Sequence, residues 1–84
     1  DRVSRMTPAD IIARVARGNT LWLAPHTNYE WRSRSGQFLG ACDRDEHVAV
    51  RTCLTKGWLR YHHEGLHATL RLTDTGRREL GEAA

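Results

Sequence analysis

The chain predicts an α+β domain of about three helices, with one β-hairpin in its middle and a second near its C-terminus. Three observations carry this. Two short segments have a helix start signal, an apolar stripe at helical spacing and a glycine stop. Between them and after the second, apolar residues recur at every other position, the period of a half-buried strand. The whole is 84 residues long, one small domain that buries only about 60–65% of its unfolded surface.

Helix one opens at Thr7. Threonine is a good N-cap, Pro8 suits the first helical position, and Asp10 sits where a carboxylate meets free backbone N–H groups. Ile11, Ile12, Val15 and Ala16 form the apolar stripe. Arg14 and Arg17 are expected to face outward, and Gly18 to end the helix. Residues 1–6 lack any period and read as a flexible arm, leaving 7–84 as the single domain. Thr20–Ala24 is a short apolar strand closed by Pro25. In 29–34, Tyr29, Trp31 and Ser33 alternate with Glu30, Arg32 and Arg34. Ser35-Gly36 is a turn signal, and Gln37–Ala41 pairs back as the second strand of the central hairpin.

The second helix is expected over 44–56. Asp43 and Glu46 have the spacing of a reciprocal N-terminal cap, and Gly57 is the stop. One face collects His47, Val50, Cys53 and Leu54. The opposite face collects Arg44, Val48, Arg51, Thr52, Thr55 and Lys56. Then 58–62 forms a strand, Glu64-Gly65 the tip, and Leu66, Ala68, Leu70 and Leu72 alternate inward against His67, Thr69 and Arg71. Thr73 caps a short final helix containing Arg77, Arg78 and Leu80.

Charge and cysteine usage narrow the function. Thirteen basic residues, twelve of them arginine, stand against ten acidic ones, a net charge of +3. Arginine forks onto phosphate and onto guanine edges, so the excess favours a polyanionic partner. The two cysteines, Cys42 and Cys53, are too few for a disulfide-built secreted domain and fit a reduced, cytoplasmic protein. No apolar run approaches the roughly 20 residues that span a bilayer, and no leader segment is evident.

Catalytic and metal readings fail on spacing. His62, His63 and His67 with Glu64 flank a hairpin turn and lack the i, i+4 helical placement of zinc-protease histidines. Cys42, His47 and Cys53 fit no common four-ligand zinc pattern. Gly36, Gly40, Gly57 and Gly65 are isolated turn residues, and the acidic cluster Asp43, Asp45 and Glu46 is explained by capping. The chain therefore reads as a non-enzyme with no cofactor and no metal.

The segment from Val50 to Leu80 resembles the recognition-helix and wing region of bacterial winged helix-turn-helix regulators. Leu54, Gly57, Leu59, Leu72, Thr73 and Gly76 occupy the matching positions. The layout also resembles the small YjhX-type proteins, through Ile12, Gly18, Cys42, Leu54, Leu59, Thr73 and Gly76. That family is described as topoisomerase-inhibiting toxins with a winged-helix fold. A standard winged helix has a second helix where this chain has its central hairpin. The winged-helix resemblance implies a regulator that reads duplex DNA. Helix 44–56 would enter the major groove through Arg44, Arg51, Thr52, Thr55 and Lys56. The 58–73 wing would meet phosphates through Arg60, His63, His67 and Arg71. The thin core points to a homodimer. The second resemblance implies instead a protein-binding inhibitor or phage-encoded antagonist. Its contact surface would be the 20–41 hairpin, with Asp45 tempering the cationic helix face. Trp22, Tyr29, Trp31, Phe38, Trp58 and Tyr61 are expected to pack in the core or on a sheet face, and Trp31 or Tyr29 would anchor a protein partner only if exposed on that hairpin.

Overall fold

The computed structural model describes residues 6–23 and 28–81. Helix α1 spans Pro8–Ala16 and is followed by strands β1, Thr20–Leu23, β2, Tyr29–Arg32, and β3, Phe38–Ala41. Helix α2 then runs from Arg44 to Thr55. Strands β4, Leu59–Glu64, and β5, His67–Leu72, precede the short helix α3, Asp74–Glu79. The described residues form an α+β domain with three helices and one five-stranded antiparallel sheet, in the order β3-β2-β1-β5-β4. The expected arm at 1–5, the end of the first strand at Ala24 with Pro25, and the tail at 82–84 lie outside the described residues. Met6, assigned to the arm from sequence, packs against the core.

Helix starts follow the side chains that create them. Thr7 and Asp10 cap α1 reciprocally, and Asp43 and Glu46 do the same for α2. Hydrogen bonds from the Thr7 backbone and hydroxyl hold the Asp10 carboxyl below its ordinary pKa. At the far end of α2, Gly57 has φ +76, a left-handed turn that glycine adopts without Cβ strain. It lets β4 start at once.

One face of the sheet holds the core. Ile11 and Ile12 of α1, and Ala49, Val50 and Cys53 of α2, pack against Leu21, Tyr29, Trp31, Leu59 and Leu70. Every one of those strand residues lies on the same face by register, since Leu21 pairs with both Trp31 and Leu70, and Leu59 with Leu72. Trp31, 2% exposed, is the largest of them. Its indole N–H donates to Glu46 Oε2 at 3.2 Å, and the Arg14 guanidinium carbon stands 4.1 Å from its ring centroid. Arg14 therefore does not face outward as its helical position predicted. It lies over the tryptophan and within 3.9 Å of Glu46, because an indole face and a carboxylate together offer more than solvent does. Ala16, expected on the apolar stripe, is exposed.

The hairpin β4–β5 closes one residue later than the sequence implied. Glu64 pairs with His67, so Gly65 and Leu66 form a two-residue turn. Leu66 consequently sits at the tip, 87% exposed, and not on the inward face assigned to it. Ala68, Leu70 and Leu72 do face the helices.

The Leu-Thr-x-x-Gly segment has a structural cause. Thr73 caps α3 by accepting from the Gly76 N–H, donates its hydroxyl to the Gly57 carbonyl, and gives its own N–H to the Trp58 carbonyl. Gly76 lies so close to the Trp58 carbonyl that a Cβ there would collide with backbone. Only glycine lets α3 sit against the junction of α2 and β4.

Both cysteines are free and buried, at 5% exposure for Cys42 and 0% for Cys53. Burial pushes Cys42 up to about 12 and Cys53 up to about 11. Neither thiol ionises near neutral pH, so a maleimide reagent at pH 7.5 is expected to label the native protein negligibly and the urea-unfolded protein at both sites. Rapid native labelling by mass spectrometry would contradict this burial.

Candidate nucleic-acid interface

The outer side of α2 is built by helical geometry alone. At 100° per residue, Arg44, Val48, Arg51 and Thr55 fall within about 60° of one another, directly opposite the buried Ala49, Val50 and Cys53. Arg44, Arg51, Thr55 and Lys56 are exposed, and Val48 is 58% exposed. The ridge thus alternates guanidinium, isopropyl, guanidinium and hydroxyl groups. Two of the expected contact residues are partly occupied. Thr52 donates its hydroxyl back to the Val48 carbonyl at 3.0 Å, and Lys56 Nζ hovers 5.3 Å from the Trp58 ring centroid.

Strand register decides which hairpin residues can join this ridge. Tyr61 lies opposite Leu70 and His63 opposite Ala68, so both share the face on which α2 packs. Both are exposed, and their rings stack with centroids 6.1 Å apart. Arg60 lies opposite Arg71, and Glu64 opposite His67. These residues belong to the other face. The nine residues grouped by sequence into one DNA-binding surface are therefore divided by the sheet. Arg44, Arg51, Thr52, Thr55, Lys56 and His63 are on the helix side. Arg60, His67 and Arg71 are on the far side.

Most of the far-side groups are already engaged. His67 stacks on Trp22 at 4.1 Å with 8° between the planes, and its Nε2 is buried without a hydrogen-bond partner, 3.9 Å from Glu64 Oε1. Glu64 Oε2 also accepts from Arg71 and from the Thr69 hydroxyl, each at 3.3 Å, and stands 3.8 Å from His62. The Trp22 ring also receives the Arg32 guanidinium, 4.6 Å from the centroid and paired to Glu30 at 2.6 Å. His67 is thus held against Trp22 of β1, and Arg71 is held by Glu64 within the hairpin. A cleft of about 420 Å3 opens beside Trp22, Thr20, Arg34 and Arg71.

Sequence reasoning missed Tyr61. Its hydroxyl lies 2.6 Å from that of Tyr29, and Tyr29 in turn packs beside His47, with ring centroids 5.2 Å apart. No local pattern could have revealed a contact across 32 positions. Trp31 and Tyr29 pack in the core, and the exposure that would have made either one a protein anchor is not met. Trp31 and Tyr29 are each 2% exposed, whereas Phe38 and Leu39 on the edge strand β3 are 55% and 46% exposed.

Among the described residues, no group of three His, Cys, Asp or Glu side chains is placed to hold a metal ion, and no helix is long and apolar enough to cross a membrane. Comparison with protein-family models, with curated proteins and with solved structures gave no match.

Proposed function

We propose that this chain is a winged-helix-like binder of duplex DNA, with α2 in the major groove and the β4–β5 hairpin as its wing. The observation that carries the reading is the α2 ridge, where Arg44, Val48, Arg51 and Thr55 stand exposed on the side of the helix opposite the core. A cylinder with that surface fits a groove roughly 12 Å wide. Its arginines can fork onto guanine or phosphate, and Val48 can meet a thymine methyl. The immediate passage from α2 through Gly57 into the hairpin supports the same reading. The central hairpin β2–β3 takes the place of the second helix of a standard winged helix. The contact set is Arg44, Arg51, Thr55 and Lys56 with His63 from the wing, and it omits Arg60, His67 and Arg71.

Fluorescence anisotropy with a labelled random duplex tests this. With Arg44, Arg51 and Lys56 as the phosphate-neutralising cations, log affinity should fall with log salt at a slope of about −2.7, a loss of roughly 40-fold between 50 and 200 mM. Absence of duplex binding at 50 mM salt overturns the reading.

A second reading draws support from the β3 edge. Its sequence, Phe38-Leu-Gly-Ala41, carries no charge, while the opposite edge strand β4 bears Arg60, His62, His63 and Glu64. An uncharged edge with two exposed apolar side chains can accept a strand from a protein partner. This is the surface an inhibitor of a nucleic-acid enzyme would use on the same frame. A protein of that kind would fail the duplex assay and would lose its partner on Phe38→Asp.

A further inference from the structure

Strands β1 and β5 pair only where Leu21–Leu23 meet Ala68–Leu70. One residue further, Thr20 still pairs with Arg32 of β2, and Arg71 with Arg60 of β4, but Thr20 and Arg71 are not partners. The sheet parts there, and the cleft of about 420 Å3 occupies the opening. It is lined by Thr20, Trp22 and Arg71 from the sheet, by Ser33 and Arg34 after β2, and by Arg77 of α3. Val15 and Leu72, both half-buried, add apolar surface. Among the described residues that line it, none belongs to α2, so the cleft is separate from the ridge proposed for duplex DNA.

Some of its polar groups are already satisfied. The Thr20 hydroxyl donates to the Arg32 carbonyl at 3.1 Å and accepts from the Trp22 indole N–H at 3.2 Å. Glu64, the one carboxylate among the lining side chains, accepts from Arg71 and from Thr69, each at 3.3 Å. Arg34 differs. Its guanidinium lies over Gly18, so close that a Cβ there would stand 2.6 Å from Nη2. Glycine makes room for the group, and among the described residues no hydrogen bond or ion pair holds it. Arg71 spends one N–H on Glu64, and a guanidinium has five. Two arginines from different parts of the chain therefore bring N–H donors to one opening.

The charge selects the ligand. Three guanidinium groups against one carboxylate give the lining a formal charge of +2. A phosphate monoester carries about −1.5 to −2 near neutral pH, and its oxygens suit the fork of an arginine. A monocarboxylate would neutralise only half of that charge. We infer that this cleft binds a small phosphate monoester, its phosphate held by Arg34 and Arg71 and its esterified group laid against Val15 and Leu72.

Nuclear magnetic resonance of the 15N-labelled protein, titrated at constant ionic strength with phenyl phosphate, inorganic phosphate and benzoate, tests the site. Phenyl phosphate should saturate with a dissociation constant on the order of 1 mM. Its shifts should centre on the amides of 18–20 and 33–36 and on the Arg34 and Arg71 side-chain N–H groups. Inorganic phosphate, which lacks the ring, and benzoate, which lacks the second charge, should each bind about 10-fold more weakly. Arg34→Gln should weaken phenyl phosphate about 10-fold. The control is Arg60→Gln, which removes the same charge from the same face of the sheet but outside the cleft, and it should leave the constant unchanged. Equal losses from the two variants, non-saturating shifts spread over all the arginines, or benzoate binding as tightly as phenyl phosphate would each overturn the inference. Duplex binding by α2 stands or falls independently of these results.

Discussion

Replacing Arg44 and Arg51 together by alanine is expected to weaken duplex binding about 100-fold, at roughly tenfold for each charged contact. Both side chains are exposed on the outer ridge of α2. Their removal leaves the buried Ala49, Val50 and Cys53 of the same helix untouched, so the variant should remain folded. The matched control is the pair Arg60→Ala and Arg71→Ala. It removes the same formal charge, but from the sheet face turned away from α2. That pair should leave affinity within about threefold, through the loss of long-range attraction alone. Equal losses from the two double variants would show that net charge, and not the α2 ridge, governs binding. Anisotropy titrations of all three proteins at one salt concentration decide the matter.

Trp31→Ala carries the largest expected effect on stability, about 3–5 kcal/mol. The indole is 2% exposed and belongs to the core shared by α1, α2 and the sheet. Its removal leaves a cavity, deprives Glu46 of an N–H donor and leaves Arg14 without the ring it covers. A domain of this size has roughly 4–13 kcal/mol in all, so the variant is expected to be largely unfolded at 37 °C. Trp31→Phe keeps a ring beneath Arg14 and loses the hydrogen bond to Glu46, which should cost about half as much. Urea unfolding followed by far-ultraviolet circular dichroism measures both. A Trp31→Ala midpoint close to the parent value would mean that the core can collapse around the gap, contrary to the packing described here.

What the sequence made legible was local. Thr7 with Asp10 and Asp43 with Glu46 announce two helix starts, because a cap requires only four consecutive residues. Alternation in 67–72 gives β5 its inward face. Strand β4, Leu-Arg-Tyr-His-His-Glu, has no apolar alternation. Which of its residues share a side with α2 is therefore set by pairing to β5, which the spacing alone could not supply. The division of Arg60, His67 and Arg71 from the α2 arginines follows from that register. So does the exposed Leu66, since a turn formed by Gly65-Leu66 in place of Glu64-Gly65 moves one residue from the strand to the tip. Arg14 was misread for a different reason. Helical spacing gives an azimuth, while a long side chain can lie back over an aromatic ring. The Tyr29–Tyr61 contact joins strands that are not even neighbours in the sheet, so only tertiary packing brings it about.

Gly76 and Thr73 bind the last helix to the carbonyls of Gly57 and Trp58, the two residues through which α2 hands over to β4. In the DNA-binding reading proposed above, that handover sets the angle between the groove-reading helix and its wing. Bracing it from outside fixes the angle between them before any partner arrives. The C-terminal turn, which holds none of the proposed DNA-contact residues, thereby becomes part of the mould that sets how α2 is presented beside the β4–β5 hairpin.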